Sequence, residues 1–99
     1  MSRYVYSPDP ALRRQEIEVF YKIVETFVEV SNQWKETKII DYITTTYGYD
    51  SKIVYHELHH LHSMGVIDCF PDYGPSVTYY LKEEKIKGIR EALRKRKRL

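Results

Sequence analysis

The sequence predicts a mainly helical α+β domain in the order α-α-α-β-β-α, four helices and one small β-hairpin, and three observations lead to it. Apolar residues recur at helical spacing in four segments, two β-rich stretches flank a loop of turn formers, and glycine and proline are sparse at 4 each among 99 residues. With 42% hydrophobic and 30% charged residues the chain has the balance of a folded protein. A chain of this length buries one core, so residues 1–99 are read as a single domain.

The first helix is expected over residues 10–31. Asp9 can cap its free amides, and Pro10 suits the first helical position because the missing N–H would have no partner there. Ile17, Phe20, Val24 and Phe27 form one stripe, with Val19, Ile23 and Val30 on an adjacent one. The resulting apolar arc spans about 200°, twice the roughly 100° that one buried face needs. A second copy of the chain is the expected cover for the extra face, which places Val19, Ile23 and Val30 in a dimer seam.

After a break at Trp34, a second helix is expected over 37–47, capped by Thr37, with Ile39, Ile40 and Ile43 inward. Thr37 and Lys38 at its start combine free N–H groups with a positive side chain and are expected to hold a phosphate. Gly48-Tyr49-Asp50-Ser51 is a tight turn leading into a third helix over 51–64, which Gly65 can terminate. At 100° per residue Val54, Leu58 and Leu61 define its buried side, with Lys52, His56, His59 and Ser63 opposite. Ser51, Lys52, Tyr55, His56 and His59 therefore present a compact donor-bearing face suited to the major groove of duplex DNA.

The hairpin is expected over 66–81, its strands Val66–Phe70 and Val77–Leu81 joined by Pro71-Asp72-Tyr73-Gly74-Pro75-Ser76. Tyr73 at the tip can touch DNA, although Asp68 and Asp72 would repel phosphate. Cys69 shares a face with Ile67 and is expected to be a small buried hydrophobe. A last helix over 82–99 carries Ile86, Ile89 and Leu93 as a narrow stripe, expected to complete the dimer seam.

Charge is divided unevenly along the chain. Residues 1–81 hold 7 Lys/Arg against 11 Asp/Glu, whereas residues 82–99 hold 9 against 3, so a net −4 body carries a net +6 end. Arg94, Lys95, Arg96, Lys97 and Arg98 suit an anionic partner, and nucleic acid is the expected one.

Helix, helix, tight turn, helix, hairpin, helix over roughly residues 15–90 resembles a winged helix-turn-helix domain. The stretch Tyr49 to Leu81 is similar to the segment of PadR and MarR regulators that runs V-x-x-x-L-x-x-L-x-x-x-G-hydrophobic-I and ends in a YYL strand. Here those letters are Val54, Leu58, Leu61, Gly65, Val66, Ile67 and Tyr79-Tyr80-Leu81. The resemblance implies a homodimeric transcription regulator that binds double-stranded DNA.

Competing chemistries are weaker. His56-Glu57-Leu58-His59-His60 matches H-E-x-x-H, in which two histidines hold zinc beside a general-base glutamate, but a chain this short has no room for a substrate cleft. An enzyme is not expected, and neither is a cofactor or small-molecule substrate; a structural metal on His56 and His60 is the alternative to an unmetallated helix. A protein-docking module is the other rival. The lone Cys69 excludes an intrachain disulfide, no apolar run approaches the roughly 20 residues of a membrane span, and Met1 to Tyr6 lacks a signal peptide's apolar stretch. The expected location is the cytoplasm.

Overall fold

The computed structural model describes residues 8–70 and 77–98, with side chains described as far as Arg96. Its elements are α1 (Pro10–Glu29), β1 (Gln33–Lys35), α2 (Glu36–Tyr47), α3 (Ser51–Ser63), β2 (Asp68–Phe70), β3 (Thr78–Tyr80) and α4 (Glu83–Arg98). The described residues are thus mainly helical with one small antiparallel sheet. Among the described residues no helix is long and apolar enough to cross a membrane.

Helix ends follow the local chemistry. The Asp9 carboxylate accepts from the Ala11 amide at 3.0 Å and starts α1, and Asp50 does the same for α3 through the Lys52 amide at 2.8 Å. Gly48 ends α2 at φ 76°, a left-handed conformation that glycine adopts without a Cβ penalty. After α3, the Val66 amide returns to the Leu61 carbonyl at 3.1 Å and the Gly65 amide to that of His62 at 3.0 Å, the paired closure of a Schellman motif with Gly65 at φ 78°.

The expected hairpin is the larger part of a three-stranded sheet in the order β1-β3-β2. Gln33, Trp34 and Lys35 pair with Tyr80, Tyr79 and Thr78, while Asp68, Cys69 and Phe70 pair with the same three residues in the same order on the other edge. Only Trp34 of β1 is apolar, so its alternation is too brief to read as a strand. β1 runs directly into α2, which makes Lys35 the N-cap, without a side-chain hydrogen bond. Thr37 is therefore not the cap expected of it, because the helix has begun one residue earlier at Glu36.

The core is built from Val19, Ile23, Val24 and Phe27 of α1, Ile39 and Ile43 of α2, Val54, Leu58 and Leu61 of α3, and Ile67, Tyr79, Leu81 and Leu93. This corrects the dimer seam. Val19 and Ile23 have no exposed surface and Leu93 keeps 7%, so these three are consumed within one chain. The wide apolar arc of α1 arises because α3 and α4 both pack on it. Of the expected seam, Val30 is exposed, and Ile86 and Ile89 are half-buried against the core. Cys69 is likewise half-buried, its Sγ 3.5 Å from His62 Nε2.

Candidate nucleic-acid interface

The turn Gly48-Tyr49-Asp50 sets α3 against α2, and Tyr49 ties that turn to α1 by donating to Glu18 at 3.3 Å. Burial, followed by the neighbouring Glu18 carboxylate, raises the Tyr49 phenol above its ordinary value, so it stays a donor. α3 buries Val54, Glu57, Leu58 and Leu61. Ser51, Lys52, Tyr55 and Ser63 are exposed, as the helical spacing requires. Ser51, Lys52 and Tyr55 also line, with Ile40 of α2, a shallow recess of about 300 Å³ at the α2–α3 junction.

The two histidines expected on this face are held by the protein itself. His59 Nε2 lies 3.5 Å from a Glu36 carboxylate oxygen and 3.4 Å from the Tyr79 hydroxyl, and its ring packs on Tyr55 with centroids 4.3 Å apart. The Tyr79 hydroxyl donates to that same Glu36 oxygen at 3.0 Å. Burial first, and then Glu36, push the Tyr79 phenol far above its ordinary value. His59 thus braces α3 against α2 and β3, leaving about a third of its side chain exposed.

His56 turns the other way around α3, toward α1. Its Nδ1 lies 3.0 Å from one oxygen of Glu57, and His60 Nδ1 lies 3.2 Å from the other. The Glu57 carboxylate is fully buried, whereas 45% of the His56 side chain is exposed. A general base must reach a substrate and its water. Glu57 sits beneath two imidazoles instead, an arrangement suited to bracing or ligation.

Thr37 and Lys38 are exposed in the first turn of α2. Glu36 occupies that turn too, and its carboxylate opposes a bound phosphate. The basic end is placed apart from the α3 face. α4 closes one side of an apolar groove of about 520 Å³ whose other walls include Phe20, Tyr21, Val24 and Leu61. Leu61 points away from Lys52 by half a helical turn, so α4 lies behind the exposed face of α3. Arg96 stacks over the Tyr21 ring at 3.8 Å, Lys85 donates to the Gly65 carbonyl and Lys82 lies 3.5 Å from an Asp68 carboxylate oxygen, so three of the described basic side chains are engaged internally. Arg94 and Lys95 are exposed. Tyr73 lies outside the described residues, as do the side chains of Lys97 and Arg98.

The sequence reading missed Glu36, Glu57 and Tyr79 as the groups that orient these histidines. The H-E-x-x-H string was the available signal for Glu57. No local pattern brings Glu36 to Tyr79, which is 43 residues away. Comparison with protein-family models, curated proteins and solved structures found no match.

Proposed function

We propose that the protein is a winged helix-turn-helix domain that binds double-stranded DNA through α3 and regulates transcription as a homodimer. The observation that carries this reading is the exposed Ser51, Lys52 and Tyr55 surface on a helix whose opposite side is buried. Two helices joined by a short glycine-containing turn, with the second presenting polar side chains outward, support a helix-turn-helix reading. The antiparallel β2–β3 pair that follows suits the stem of a wing.

In this reading Lys52 and Ser51 donate to phosphate or base edges, and Tyr55 contributes a flat ring and a hydroxyl. His59 supports Tyr55 through ring contact. Lys38 adds a positioning contact at the edge of the groove, tempered by Glu36. Arg94 and Lys95 act at longer range from the rear of the domain, so they attract duplex DNA without reading it. A two-fold dimer formed along α4 favours a pseudo-palindromic site with half-sites about 34 Å apart, one turn of B-DNA.

A mobility-shift titration against random duplex and against the DNA upstream of the protein's own gene tests the proposal. The expected result is binding to both, tighter to the upstream fragment. No binding at about 50 mM salt would overturn it in favour of a protein-docking module, because phosphate contacts are strongest at low salt.

A further inference from the structure

The DNA reading makes no use of the carboxylates behind His56. Glu57 has no exposed surface, and the fold brings a second carboxylate to it, that of Glu16 from α1, which is 6% exposed. One ligating atom from each of Glu16, His56 and Glu57 lies within 4.8 Å of the other two. Two carboxylates buried side by side raise the affinity of the spot for any cation that both can reach. An imidazole nitrogen with carboxylate oxygens suits a borderline first-row divalent ion; calcium and magnesium prefer oxygen alone.

We propose that Glu16, His56 and Glu57 bind one divalent transition-metal ion of the zinc class, bridging α1 to α3. Donors held about 2.1 Å from a tetrahedral ion stand roughly 3.4 Å apart, so the cluster closes by shifts below about 1 Å per side chain. His56 has the freedom to make that shift, with nearly half of its side chain exposed. Binding exchanges the 3.0 Å contact between His56 and Glu57 for a bond from each to the ion. His60 keeps its 3.2 Å contact with the other Glu57 oxygen and orients that carboxylate as a positioning residue. Solvent on the exposed side of His56 supplies the fourth ligand. One neutral imidazole and two carboxylates exactly balance a divalent charge.

The arrangement differs from the hydrolase pattern that the H-E-x-x-H letters suggest. There both histidines are ligands and the glutamate stays free as a base. Here the glutamate is a ligand and the second histidine only steadies it. The ligands also come from two helices that pack together in the native core, so the ion stabilises the folded chain.

The test uses the untagged full chain, stripped with a chelator and titrated with zinc chloride by calorimetry and with cobalt chloride by visible absorption. The expected result is one ion per chain, a d–d spectrum without a thiolate band, and a higher melting temperature with zinc. His56→Gln and Glu16→Gln should each weaken zinc binding about tenfold or more. Cys69→Ser, which alters the separate His62–Cys69 pair, should leave it unchanged. Circular dichroism establishes which variants fold; His56→Gln, at a half-exposed position, decides alone if Glu16→Gln does not. Absence of saturable binding, unchanged affinity in folded His56→Gln, or a thiolate-to-cobalt band lost in Cys69→Ser would overturn the proposal. DNA binding is measured separately, so failure here leaves the α3 reading intact.

Discussion

Tyr79 is the point at which the sheet, α2 and α3 are tied together. It is 2% exposed, donates to Glu36 and lies against His59. Its raised pKa means that the fold favours the protonated phenol, so this contribution is complete below about pH 10, the ordinary tyrosine value. It is lost as the pH rises from there toward the folded value. Wild-type stability should fall above pH 10 by up to about 1.4 kcal/mol per pH unit more than that of Tyr79→Phe. Thermal unfolding at pH 9 and 11 measures this, and parallel losses in the two proteins would contradict it. The exposed positions of Ser51, Lys52 and Tyr55 were legible from helical spacing alone. The fates of His56 and His59 were not, because Glu57 competes for the first and Glu36 with Tyr79 for the second, and only tertiary packing decides those contests.

At the scale of elements, capping made much of the fold legible. Asp9, Asp50, Gly48 and Gly65 mark boundaries through hydrogen bonds and backbone conformations set within a few residues. β1 escaped notice because it has three residues and owes its strand character to pairing with β3. That hidden strand also displaced the expected Thr37 cap. Gly65→Ala tests the closure of α3. An added Cβ meets nothing within 4 Å, so the cost comes from the left-handed backbone, about 1–2 kcal/mol. The melting temperature should drop by about 4–8 °C per kcal/mol in a domain of this size. An unchanged melting temperature would contradict the Schellman assignment.

For the whole molecule, the width of the apolar arc on α1 was readable but its occupant was not. Periodicity reports how much of a helix is covered, whereas the covering elements here are α3 and α4 of the same chain. What remains open is the groove bounded by Tyr21 and Ile89, with half-buried Ile86 farther along α4. Association along this face should give a sedimenting mass of twice the 11.9 kDa of one chain at micromolar concentration. Ile89→Glu should shift that mass to the monomer; a wild-type monomer would contradict a dimer.

On the proposed reading, the separation of α3 from the basic end should give the two surfaces different signatures on DNA. Replacing Arg94 and Lys95 with Gln should weaken binding to all sequences alike, while Tyr55→Ala should reduce preference for the upstream fragment. The most direct measurement of the central claim is a salt titration of duplex binding, followed by fluorescence anisotropy, for wild type and Lys52→Gln. The account predicts a linear fall of log K with log salt and a slope shallower by about 0.9 in the variant, the value of one phosphate contact. Identical affinities and slopes for the two proteins would contradict the placement of DNA on α3.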